Sequence, residues 1–167
     1  MLPCYVIHNY KQVDRKEIVE KLIESTGAKV VEAVWSKENP VWGCRESHKK
    51  VAQIAKEEYP NSAYLVFEDD CEIVDPSFLR LILDHLDVDI LYFGVNGFCV
   101  HSKPFTLKHS WGTHAMMMTP KARDLLLEKE SEYLKMEFPL QYHPYDQLMC
   151  ILAECENLKV WKPDETT

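Results

Sequence analysis

Short apolar runs alternate with amphipathic stretches through the first ninety residues. Residues 4–7 are apolar throughout and predict a strand covered on both faces. From Asp14 or Arg15 to Ser25, the residues Ile18, Val19, Leu22 and Ile23 fall on one helical face, and Gly27 stands just past the end. The Val-rich segment 29–35 predicts a second strand, Asn39-Pro40 a loop, and residues 44–58 a helix that stops before Pro60. Residues 63–67 predict a third strand. Asp75-Pro76 pairs a capping carboxylate with proline at the first helical position, opening a helix that carries Phe78, Leu79, Ile82, Leu83 and Leu86.

The later half is less regular. Residues 89–93 predict a fourth strand, Asn96-Gly97 a turn, and 105–107 and 115–118 short strands. Thr119-Pro120 opens a helix through Leu125, Leu126 and Leu127; residues 145–155 form the last helix and 158–161 a final strand. Strand–helix alternation predicts an α/β fold with a mixed, mostly parallel sheet flanked by helices and joined by right-handed crossovers. No linker or repeat divides the chain, so residues 1–167 are read as a single domain.

Composition narrows the functional classes. With 46% hydrophobic and 28% charged residues the chain is globular, and its 167 residues suffice to bury roughly 70% of the unfolded surface. The net charge of -8 and the scattered basic residues argue against a nucleic-acid partner. No apolar run approaches the ~18 residues of a membrane span, and Met1-Leu2-Pro3-Cys4 does not open a signal peptide. Six cysteines without a CxxC pair predict reduced thiols and a cytoplasmic protein.

The third strand runs into Glu68, Asp69 and Asp70. Adjacent carboxylates repel unless a cation offsets them, and hard oxygen ligands suit Mn²⁺ or Mg²⁺. In open α/β sheets ligands gather at the carboxyl ends of strands. Taken alone, the cluster fits a solvated acidic loop equally well. Its position after the third strand, with His8-Asn9 ending the first, departs from receiver domains and dehalogenase-type phosphatases, which place the acid after the first strand. It fits a nucleotide-sugar glycosyltransferase of the GT-A fold.

Four blocks extend this likeness. They are Val6-Ile7-His8-Asn9 with Arg15; GCRESH at 43–48; VFEDDCEI at 66–73; and GTHAMMMTPKARDLL at 112–126 followed by PYDQ at 144–147. Their order and spacing resemble glycosyltransferase family 25, which includes lipooligosaccharide and collagen galactosyltransferases. The resemblance implies a GT-A-like domain that transfers a hexose, galactose or glucose, from a UDP-sugar to a glycan, lipid-linked glycan or protein acceptor. It implies Asp70 as metal ligand, with Asp69 at the ion or the ribose and Glu68 structural or against the nucleoside. Asn9 and Arg15 become donor-pocket residues, although Arg15 reads equally as an exposed first-turn arginine.

Other residues keep two readings. Cys44, His48, Val51 and Ala55 share a helical face. Cys44 and His48 make half a zinc site, but no second Cys/His pair completes it, so His48 is read as a buried support of the donor pocket. Asp146 is either a first-turn acid or the general base that inverting transfer requires, with Glu137 and His143 as rivals. His114 and His143 are further ligand candidates. Trp111 and Tyr142 are stacking candidates, whereas Trp35, Trp42 and Trp161 read as core or rim. Three functions follow: a metal-dependent inverting glycosyltransferase, a non-catalytic nucleotide-sugar-binding module, or a Mg²⁺-dependent phosphoesterase.

Overall fold

The computed structural model describes residues 2–73, 76–93, 101–103, 106–107, 114–135 and 145–161. In chain order the elements are β1 Cys4–His8, α1 Lys16–Thr26, β2 Lys29–Glu32, α2 Pro40–Glu58, β3 Tyr64–Glu68, α3 Leu79–Asp84 and β4 Ile90–Tyr92. There follow β5 His101–Lys103, β6 Thr106–Leu107, β7 Ala115–Met118, α4 Pro120–Tyr133, α5 Tyr145–Cys155 and β8 Val160–Trp161. Single 3₁₀ turns precede α1 (Val13–Arg15) and α3 (Pro76–Phe78).

Six strands form one sheet in the order β2-β1-β3-β7-β4-β8, and β5 pairs with β6 apart from it. β7 runs antiparallel to both its neighbours, while the β1–β2, β1–β3 and β4–β8 pairings are parallel. The expected mixed, mostly parallel α/β sheet is therefore present. Alternation sorts each strand between two cores. Tyr5, Ile7, Tyr64, Val66, Met116 and Met118 face a core shared with Val51 and Ala55 of α2, Leu126 of α4 and Leu148 of α5. Cys4, Val6, Leu65, Phe67 and Met117 face the other, with Val19 and Leu22 of α1 and Ile82 of α3. Burial on both faces explains why these strands read as unbroken apolar runs.

Arg123 joins two helices. Its side chain is 1% exposed, and its guanidinium donates to the carbonyls of Tyr59 (3.2 Å) and Pro60 (2.7 Å) beyond the end of α2. The carbonyls that leave the end of α2 thereby gain a charged donor.

Three expectations need correction. The second strand ends at Glu32, not 35, because the amide of Val34 turns to the Ser47 hydroxyl (2.8 Å) instead of a strand partner. α2 starts four residues early, at Pro40. Asn39 is its N-cap, accepting from the Trp42 amide (3.0 Å), so Asn39-Pro40 is a helix start and not a loop. α3 is only six residues long, and of its expected apolar face only Ile82 is buried, while Leu79, Leu83 and Leu86 are exposed. Asp75, Asn96-Gly97, the rival residues Glu137 and His143, and the stacking candidates Trp111 and Tyr142 lie outside the described residues.

Candidate active site

β3 delivers its acidic run to the sheet's carboxyl end, where strand geometry sends neighbouring side chains to different environments. Each carboxylate meets a different histidine. Glu68 accepts from His48 Nε2 of α2 (3.0 Å), Asp69 from His8 Nδ1 at the end of β1 (2.9 Å), and Asp70 from His114 Nδ1 just before β7 (3.0 Å). Three elements distant in sequence thus converge on three consecutive residues.

Asp69 is 5% exposed, and both its oxygens are engaged. Oδ2 takes His8 and the Asn9 amide (3.2 Å), and Oδ1 takes the Arg15 guanidinium. Arg15 also lies 3.5 Å from Asp70 Oδ2, and its hydrogen bond to Asp69 pushes its pKa up. Asp69, read from sequence as a ligand, here ties Arg15 and β1 together. Asn9 Oδ1 accepts from the Lys11 amide (3.1 Å), which fixes the loop after β1.

A different trio gathers oxygen and nitrogen donors. One ligand atom from each of Glu68, Asp70 and His114 lies within 4.8 Å of the others. His114 holds the Asp70 carboxyl below the usual range by donating to it, and Asp70, with Glu68 and Asp146 adding charge, pushes the His114 pKa up. Two carboxylates and an imidazole suit a borderline-hard divalent ion such as Mn²⁺ better than Mg²⁺, which prefers all-oxygen shells. From sequence, His114 is one histidine among several. Only the β3–β7 pairing, with the Glu68 amide donating to the His114 carbonyl (2.7 Å), brings it to the cluster.

Beside this trio lies a cleft lined among others by Asn9, Arg15, Trp35, Cys44, His48 and Glu68. The GCRESH block builds its wall. A Cβ at Gly43 would meet the Val34 carbonyl oxygen at 2.6 Å, so only glycine lets α2 approach the chain leaving β2 so closely. Ser47 donates to the Gly43 carbonyl (2.7 Å) and accepts from the Val34 amide. His48 is 2% exposed, its ring stacked on Tyr145 at 4.2 Å and 12°. Burial, with Glu68 nearby, pushes the Cys44 thiol up to about 12 in the metal-free protein.

The Tyr145 stack also sets the start of α5. Asp146, the next residue, is 8% exposed, accepts from the Gln147 amide (2.9 Å), and lies near enough for its charge to act on both His114 and Cys44. Asn9, Arg15, His48, Glu68 and Asp69 line the cleft, Asp70 stands beside it in the trio with Glu68 and His114, and Asp146 acts by its charge on His114 and Cys44. Trp35 forms the exposed rim of the cleft, while Trp161 stacks on His85 away from it. No helix among the described residues is long and apolar enough to cross a membrane.

No protein-family profile and no curated protein matches the chain by sequence. Solved structures do match its fold. A glycosyltransferase involved in the glycosylation of the major capsid of PBCV-1 superposes with a TM-score of 0.63 at 15% identity, over 98% of this chain and 81% of that one. A nucleoside-diphosphate-sugar pyrophosphorylase from Vibrio cholerae RC9 follows with a TM-score of 0.51 at 13% identity, over 95% and 71%. At such identities the likeness is one of fold, and that fold is GT-A-like.

Proposed function

We propose that this protein is a metal-dependent glycosyltransferase that moves a hexose, galactose or glucose, from a UDP-sugar to a hydroxyl acceptor with inversion, in the manner of family 25. The observation that carries the proposal is the meeting of Glu68, Asp70 and His114 at the carboxyl end of β3, beside a cleft that Glu68 lines, with Asp146 near enough for its charge to act on His114. The fold likeness supports the reading, as do the four sequence blocks, three of which supply groups around this cleft. The acceptor is a glycan, a lipid-linked glycan or a protein.

Roles divide by chemistry. Asn9 and Arg15 hold the donor nucleotide, Arg15 offering a cation to the diphosphate while Asp69 fixes its position. Glu68, Asp70 and His114 would hold Mn²⁺ or Mg²⁺, which offsets negative charge on the departing diphosphate. Asp146 takes the proton from the acceptor hydroxyl as that oxygen attacks the anomeric carbon. His48 keeps Glu68 and the start of α5 in fixed relation through its hydrogen bond and its stack on Tyr145.

UDP release from a panel of UDP-sugars, measured with Mn²⁺ and with EDTA, tests the proposal. Release that requires Mn²⁺ is expected. Tight UDP binding without turnover on any sugar would favour a nucleotide-sugar-binding module. Release of inorganic phosphate instead would favour a phosphoesterase.

A further inference from the structure

Cys44 and His48 lie one helical turn apart on α2, on the face turned to β3. The sequence supplies no second Cys/His pair to complete a zinc set with them. The fold supplies Glu68 instead: one ligand atom from each of Cys44, His48 and Glu68 lies within 4.8 Å of the others. We propose that these three residues form a second cation site, selective for zinc over the harder ions and sharing Glu68 with the Glu68–Asp70–His114 group.

Donor chemistry separates the two positions. A thiolate and an imidazole with one carboxylate form a soft set, which favours Zn²⁺; two carboxylates with one imidazole favour Mn²⁺. All three donors line the cleft, so a fourth position faces solvent or ligand, as in open three-ligand zinc sites. The donors are also preorganised. Gly43 and Ser47 fix this turn of α2 against the chain after β2, and Tyr145 holds the His48 ring flat. The ion takes the place of the proton between His48 Nε2 and Glu68.

His48 Nδ1 is buried without a hydrogen-bond partner among the described residues. Zinc-bound imidazoles ordinarily donate their second N–H, and losing that support costs about 10–100-fold in affinity. The site is therefore exchangeable, not a permanent structural centre. Its occupancy has a consequence that rests on the glycosyltransferase reading. Zinc at this position draws Glu68 from the harder ion and fills part of the donor cleft, so zinc antagonises donor loading.

The test uses Co²⁺ as a spectroscopic probe on metal-free protein, with a phosphine reductant in place of thiols. A thiolate-to-cobalt charge-transfer band saturating at one ion per chain is expected, displaced by Zn²⁺ but not by Mn²⁺. Cys44→Ala loses the band, and Asp70→Asn keeps it because Asp70 belongs to the other group alone. Absence of the band in the wild type, or its persistence in Cys44→Ala, overturns the site. Neither readout needs turnover, so failure of the enzymatic reading leaves this test intact. The antagonism is read separately, as UDP affinity in Mn²⁺ with and without one equivalent of Zn²⁺. A weakening of tenfold or more in the wild type that is absent in Cys44→Ala is expected; equal affinity in the wild type overturns the antagonism.

Discussion

Asp69 and Asp70 are chain neighbours with opposite environments, and the contrast is testable. Asp70 is exposed and paired with His114 and Arg15, and exposed pairs contribute about 0–1 kcal/mol. Asp70→Asn should leave the melting temperature close to wild type while nearly abolishing Mn²⁺-dependent transfer. Asp69 is buried between His8 and Arg15, and removing one partner of a buried charged pair costs ~3 kcal/mol or more. Asp69→Ala should therefore lose stability first. Denaturant melts and turnover on the two variants check the assignment, and reversed outcomes would exchange the two roles. Asp146→Asn keeps the hydrogen bond from the Gln147 amide but cannot take a proton. Turnover should fall ~10²–10⁴-fold with donor affinity little changed, because the base faces the acceptor. Turnover near wild type would remove Asp146 from the chemistry.

At the scale of elements, α2 carries the cleft wall, and its approach to β2 is set by one missing side chain. Gly43→Ala must push the Val34 carbonyl away from a 2.6 Å contact, since that oxygen belongs to backbone. Overpacking of this kind costs typically ~1–3 kcal/mol, and the displacement passes through Ser47 to His48. The expected outcome is a lower melting temperature together with weakened UDP binding. A variant that melts lower but binds UDP as the wild type does would show that the α2–β2 contact serves stability alone. α3 shows the opposite case: a helix-like pattern whose Leu79, Leu83 and Leu86 stay exposed because only six residues are helical and only Ile82, with Phe78 just before them, packs toward the sheet.

For the whole molecule, the carboxylate–histidine array couples pH to stability in a calculable sense. The His114 pKa is raised from its ordinary 6.5, so its contribution is complete below that value and is lost as pH rises through the folded-state pKa. The Asp70 pKa is lowered from its ordinary 3.8, so its contribution is complete above that value and is lost as pH falls through the folded-state pKa. Between 3.8 and 6.5 both act together in metal-free protein. Mn²⁺ requires His114 unprotonated, so its effect runs the other way. The rise in melting temperature with Mn²⁺ should be small at about pH 5.5 and larger at about pH 8, on the expected side of an imidazole titration. Thermal melts with Mn²⁺ and with EDTA at the two pH values measure this, with His114→Asn as reference. An equal rise at both, in both proteins, would exclude His114 from the ion's shell.

The sequence alone was enough for the α/β class and for most elements. The unbroken apolar runs of β1, β3 and β7 and the Thr119-Pro120 start of α4 are local signals, and local physics reads them. The same cap-then-proline signal stands at Asn39-Pro40, ahead of the helical face that begins at Cys44. The Glu68–Asp70 run was visible as chemistry but not as geometry. Which carboxylate joins the trio with His114 and which is consumed by Arg15 depends on side-chain direction at the strand end and on β1 lying beside β3. His114 joins the cluster only because β7 pairs antiparallel with β3, and Glu68 meets Cys44 and His48 only because Gly43 lets α2 sit close. Such contacts join residues 20 to 61 positions apart. Propensity and periodicity act over a few residues and carry no information at that range, so only the tertiary structure could decide them.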